Sequence, residues 1–94
     1  MTPKPAITKE WELYIILAEN GKLYTGIALD AEKRFQQHLN SSKGAKFFRS
    51  TQPSAIVYKE KCADRSKAQQ REAEIKQLSR IKKMALISNY QTHQ

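Results

Sequence analysis

Five side chains in this 94-residue sequence have types and spacing that could do chemistry: Tyr14, Tyr24, Arg34, His38 and Glu72. Two phenols and an imidazole can donate or pass protons, a guanidinium binds anions through a planar fork, and a carboxylate can ligate a cation. Glu72 is the most pointed of them. It falls on a helical stripe set by Ala68, Ile75 and Leu78, four residues after the first and three before the second. A carboxylate on a core-facing stripe must be paired, protonated or bound to metal, because burying a bare charge is costly. An edge position paired with Arg71, Lys76 or Arg34 is the ordinary alternative. Arg34 and His38, four residues apart, project together from the flank of another helix. Taken singly, each of the five also has a structural reading, so their order along the chain carries the weight.

The elements that must position them read clearly. "WELYIILA" (11–18) is a strand, with Trp11, Leu13, Ile15 and Leu17 on one face and Glu12, Tyr14 and Ile16 on the other. "KLYTGIAL" (22–29) returns after "ENG". A two-residue Asn20-Gly21 turn pairs Leu17 with Tyr24 and puts the tyrosines on opposite faces. A three-residue loop with Gly21 left-handed pairs Tyr14 with Gly26 and Ile16 with Tyr24, and both tyrosines then share one face. The sequence permits either. Asp30 is an N-cap for a helix through about Asn40, with Ala31, Phe35 and Leu39 as its apolar stripe. "SSKGAKFFRSTQP" is a basic loop carrying two phenylalanines that look exposed, and "SAIVYKEKC" (54–62) a third strand. Helices follow from Asp64 or Ser66. The predicted fold is α+β, a three-stranded antiparallel sheet flanked by helices in the order β-β-α-β-α-α. Residues 1–10 form a tail, 11–87 the single domain and 88–94 a C-terminal tail.

Composition narrows the partner. Seventeen Lys and Arg against nine acids leave a net charge of +8, which asks for an anion, and nucleic acid leads for a chain of this size. Residues 61–94 hold eight basic residues against three acids, so the excess leans toward the C-terminal helices. A solvated basic face kept for solubility is the plainer reading. The single Cys62 excludes an intrachain disulfide and a Cys-rich zinc site, and reads as a buried inert thiol. No stretch reaches membrane-span length and the first residues lack a signal-peptide core, so a cytoplasmic location is expected.

The order Tyr14, Tyr24-Thr25-Gly26, Arg34, His38 and then Glu72 resembles the GIY-YIG nuclease superfamily, most closely its small stand-alone bacterial branch, called YhbQ-like. The resemblance runs from about Trp11 to Ile87 and includes "DAEKRFQQH", the "KGAK" loop and "REAEIKQLSRIKK". Glu12-Leu13-Tyr14 stands at the first motif, matching only its tyrosine. Tyr24-Thr25-Gly26 stands at the second and keeps the tyrosine and glycine. Phe47-Phe48-Arg49 replaces the Tyr-Thr-Arg often found in this branch.

The resemblance implies a metal-dependent endonuclease acting on DNA, with RNA as the variant. Branched, nicked or damaged structures, and hence repair or recombination, are the implied setting. Glu72 would hold one Mg²⁺ or Mn²⁺ with waters in most other positions. Arg34 would bind the phosphate's non-bridging oxygens, Tyr14 or Tyr24 would orient or deprotonate the attacking water, and His38 is the other candidate base. Gly26 is structural, leaving room beside the strand. Lys33, Lys43, Lys46, Arg49, Arg71 and Lys76 would contact phosphates, together with Arg65, Lys67, Arg80, Lys82 and Lys83. Phe47 or Phe48 could stack on an unpaired base, and core packing is the equal alternative for one of them. Family members commonly borrow specificity from an attached domain, so a protein partner supplying it is expected. The different-class alternative is a nucleic-acid-binding module that keeps the fold without catalysis.

Overall fold

A computed structural model describes residues 10–40 and 46–92. Strands β1 (Trp11–Ala18) and β2 (Leu23–Ala28) form a hairpin, helix α1 spans Ala31–Asn40, and a 3₁₀ turn covers Lys46–Arg49. Strand β3 (Pro53–Cys62) and helices α2 (Arg65–Lys76) and α3 (Arg80–Thr92) complete the chain. This is the expected element order. The last helix runs on through Thr92, past residue 87, where the sequence suggests a tail.

The sheet order is β2-β1-β3, with both pairs antiparallel. Because β1 is central and covered on both sides, its alternation of side chains feeds two cores rather than a core and solvent. Leu13 and Ile15 join Val57, Ile75 and Ile87 on the face covered by α2 and α3. Tyr14, Ile16 and Ala18 join Ala31 and Phe48 on the face covered by α1 and the 3₁₀ turn. Leu13, Tyr14, Ile15 and Ile16 are each no more than 1% exposed. β1 is therefore the rigid axis from which the tyrosine face is hung.

The hairpin turn is the three-residue one. Tyr14 pairs with Gly26 and Ile16 with Tyr24, the Gly21 amide donates to the Ala18 carbonyl at 2.9 Å, and Gly21 has φ +87°. A left-handed residue after a tight turn favours glycine. That single residue sets the register, and the register puts both tyrosines on one face.

Candidate active site

Four elements build the tyrosine face. Helix α1 is fixed at its start by two carboxylates. Asp30 accepts the Lys33 amide at 3.1 Å, as an N-cap should, and Glu12 of β1 accepts the Ala31 amide at 2.7 Å. Glu12 thus ties the helix bearing Arg34 and His38 to the strand bearing Tyr14. The sequence reading found the Asp30 cap and missed the Glu12 one, whose partner lies 19 residues away.

Tyr14 lies over the glycine opposite it. A Cβ on Gly26 would stand 2.6 Å from the Tyr14 hydroxyl oxygen and 2.8 Å from Cζ, so the ring occupies the space a side chain would take. The hydroxyl is thereby carried across β2, the edge strand, toward the rim of the sheet. The Tyr14 and Tyr24 rings are 6.3 Å apart. Burial pushes the Tyr14 phenol up to about 12, the Tyr24 hydroxyl and the Glu72 charge add to the rise, and the neighbouring Arg34 guanidinium opposes it. Arg34 and Glu72 are therefore both felt at the Tyr14 hydroxyl, although they stand on α1 and α2. Tyr14, Tyr24 and Arg34 are neighbours at this rim, and the Glu72 charge acts on it from α2.

His38 departs from expectation. It does not flank the helix stripe beside Arg34 but belongs to it, 3% exposed, while Leu39 is turned outward at 39%. Helical spacing explains this: Ala31, Phe35 and His38 are the positions that face the sheet. The imidazole packs against Phe48 at 4.7 Å and edge-on to Tyr24 at 5.6 Å. Neither ring nitrogen has a hydrogen-bond partner among the described residues. Burial, and secondarily the Arg34 charge, lower its pKa, so the ring is neutral at pH 7. Its position behind the Tyr24 ring suits a residue that fixes that ring.

Of the two phenylalanines that look exposed in sequence, one takes the core position of the alternative reading and the other is partly covered. Phe48 is buried and Phe47 half-buried, and both pack on Tyr24, at 5.1 and 5.3 Å. Tyr24, half-buried itself, is the site phenol with access to solvent, whereas Tyr14 is 1% exposed.

Glu72 is 22% exposed at its side chain and pairs with Lys76 at 3.0 Å, four residues on. It is the edge carboxylate of the ordinary reading, placed beside the site. Among the described residues no cluster of three or more His, Cys, Asp or Glu could hold a metal. A single half-exposed carboxylate next to open solvent fits one hard cation that keeps most of its waters. Lys76 neutralises that carboxylate in the free protein.

Of the basic residues, Lys33 and Arg34 line a shallow cavity of about 330 Å³ with Ala28, Leu29, Asp30 and Gln37. Lys46 is exposed and Arg49 closes the 3₁₀ turn, while Lys43 lies outside the described residues. Arg71 is held by carboxylates in the free protein. Its Nε donates to both Glu60 oxygens at 3.1 and 2.9 Å, and Nη1 donates to Glu74 at 3.0 Å. That guanidinium braces α2 against β3 and is spent on carboxylates. The cavity it lines with Glu60, Cys62 and Glu74 contains neither site tyrosine. Cys62 is half-buried rather than buried as the sequence suggests, and that partial burial raises its thiol. Among the described residues no helix is long and apolar enough to cross a membrane.

Comparison with known proteins places this arrangement. The GIY-YIG catalytic domain model matches residues 10–85. A UPF0213 protein of Desulfotalea psychrophila is 44% identical over 86 residues, spanning 92% of this chain and 74% of that protein. The UPF0213 protein YhbQ of Escherichia coli is 42% identical over 78 residues, spanning 83% and 77%. The solution NMR structure of a UPF0213 protein from Bacillus halodurans superposes with a TM-score of 0.54 at 35% identity, covering 84% of this chain and 83% of that one.

Proposed function

The chain belongs to the GIY-YIG family, a nuclease family, and on that premise we propose that it hydrolyses DNA phosphodiester bonds at the β2 rim of its sheet. The observation that carries this reading is the hairpin register that sets Tyr14 and Tyr24 on one face, their rings 6.3 Å apart, with Arg34 beside the Tyr14 hydroxyl and the Glu72 charge acting on it from α2. A purely structural tyrosine needs neither.

A phosphodiester is an anion, so its hydrolysis requires charge to be offset and water to be aimed. Arg34, half-buried and backed by a hydrogen bond from Nη1 to Gln37 at 3.0 Å, offers its remaining donors to the non-bridging oxygens. Tyr24 orients the attacking water, because it is the phenol that reaches solvent and it is held by His38, Phe47 and Phe48. The water's proton passes to bulk solvent, which returns one to the leaving 3′ oxygen. Tyr14, protonated far above neutral pH, acts as a hydrogen-bond donor toward the reacting group rather than as a base. His38 is a positioning residue behind Tyr24. Glu72 would hold one Mg²⁺ or Mn²⁺, which when bound polarises the phosphoryl oxygen and stabilises the leaving 3′ oxygen. Lys33 and Lys46 would contact the flanking backbone, and Lys76, released from Glu72, would join them. Nicked or branched DNA, as met in repair, is the proposed substrate, with a protein partner adding specificity.

A second reading, a nucleic-acid-binding module without hydrolysis, draws on the Lys76–Glu72 ion pair, which neutralises the carboxylate in the free protein. Incubating the protein with labelled duplex, nicked, flapped, four-way and single-stranded DNA in Mg²⁺, Mn²⁺ or EDTA separates the two. Metal-dependent products ending in 5′-phosphate and 3′-hydroxyl are expected. Binding of the panel without products would favour the second reading.

A further inference from the structure

A second cavity opens beside the hairpin turn. It is lined by Lys22, Leu23, Phe47, Arg80 and Lys83, and has a volume of about 240 Å³. Three cations and an aromatic ring line it, and no acid does. The Arg71 cavity, by contrast, has two glutamates in its wall. Arg80 donates from Nη2 to the Gly21 carbonyl at 3.0 Å, which holds the start of α3 against the turn and makes the two walls one unit. Its other donors remain available. Lys22 and Lys83 form no ion pair among the described residues. Concentrating three cations without a counter-charge is electrostatically unfavourable in the free protein, and an anion relieves it.

Phe47 links this cavity to the proposed site. One of its surroundings is the Tyr24 ring, at 5.3 Å, and another is the cavity itself. Phe47 is shared by both places, so a nucleotide held in the cavity is a close neighbour of one at Tyr24. An aromatic wall with cations around it suits the stacked base and phosphates of a single strand. A paired base inside a duplex has both faces covered and cannot reach such a wall.

We propose that this cavity takes an unpaired nucleotide next to the cleavage position, its base against Phe47 and its phosphates on Lys22, Arg80 and Lys83. The proposal rests on the nuclease reading for its place in the reaction, and it turns that reading into a preference: flapped or frayed ends over continuous duplex.

The test is fluorescence anisotropy in EDTA with a flapped duplex and an intact duplex of matching sequence. Wild type, Phe47→Leu and the Lys22→Ala/Lys83→Ala double variant are compared, each checked for folding by circular dichroism. Wild type is expected to bind the flap more tightly. Phe47→Leu is expected to weaken flap binding by about 10-fold, since base stacking on an aromatic contributes on the order of 1–3 kcal/mol, and to change duplex binding by less than about 2-fold. Removing two phosphate contacts should reduce the salt slope on the flap by about 1.4. Equal wild-type affinity for both DNAs, or equal losses on both in the double variant, would mean a solvated basic face and overturn the proposal. Because no metal is present, the outcome is separate from cleavage. A kept flap preference without cleavage would refute the nuclease reading alone, and cleavage without flap preference would refute this cavity's role alone.

Discussion

Replacing Gly26 by alanine tests whether the glycine exists to let Tyr14 cross β2. The added Cβ would meet the Tyr14 hydroxyl at 2.6 Å, Cζ at 2.8 Å and Tyr24 Cε2 at 3.1 Å, all inside the 3.4 Å where ordinary contact begins. The Tyr14 ring is 1% exposed and packed with Ile16, Ala31 and Phe48, so it cannot swing aside freely. Overpacking of this kind costs about 1–3 kcal/mol, and at about 2 kcal/mol a domain of this size loses roughly 8–16 °C in Tm. Gly26 has no positive φ, so the backbone itself accepts alanine. The sign should therefore reverse once the ring is gone. In a Tyr14→Leu background only the Tyr24 Cε2 contact at 3.1 Å remains, and that ring can give into the space Tyr14 vacates. Gly26→Ala should then stabilise by about 0.5 kcal/mol, the low end of alanine's ordinary advantage over glycine in a strand. Thermal melts of the four proteins, followed by circular dichroism, measure this as a double-mutant cycle. Cleavage by Gly26→Ala should also fall about 100-fold, because a hydroxyl displaced by around an ångström is misaligned. A neutral Gly26→Ala in the wild-type background, or the same sign in both backgrounds, would refute the steric argument.

His38 is neutral in the fold and its pKa lies below the usual ~6.5, so the unfolded chain binds a proton first as the solution acidifies. Its contribution to stability is complete above about pH 6.5 and is lost as pH falls toward the lowered folded value. Melts between pH 7.5 and 5 should show a steeper decline for wild type than for His38→Phe. Tyr14 runs the other way: between roughly pH 10 and 12 the unfolded phenol ionises while the folded one keeps its proton, so stability declines as pH rises through that window. Tyr14→Phe should remove that part of the alkaline decline in Tm. Arg71→Ala should cost about 1 kcal/mol through the partly exposed Glu60 pair and leave DNA affinity within about 2-fold, read by melts and anisotropy. An affinity loss without a stability loss would return Arg71 to the phosphate-binding set.

The hairpin, α1 and β3 were legible because local rules decide them: alternation, an Asn-Gly turn and an Asp cap. The register was not. Two turn lengths fit the same letters, and only the left-handed Gly21 selects the one that unites the tyrosines. Non-local partners were hidden for a similar reason. Arg71 has Glu60 of β3 as its partner, eleven residues away on another element, and the Glu12 that holds α1 finds its partner amide 19 residues away. Ala31, Phe35 and His38 face the sheet at helical spacing, yet a polar ring at the third of these positions disguised the stripe. Glu72 was recognisable from its place on the stripe, although its pairing with Lys76 rather than Arg71 or Arg34 required the structure.

The central claim is that Arg34 and Glu72 act on one phosphate beside Tyr14 and Tyr24. Single-turnover cleavage of a flapped duplex in Mg²⁺ by wild type, Arg34→Ala and Glu72→Ala tests it most directly. Each variant should cut at least about 100-fold more slowly, the scale on which a transition-state donor is lost. Glu72→Ala should still bind the DNA in EDTA, since it loses a negative charge. Cleavage by either variant at the wild-type rate would contradict the account.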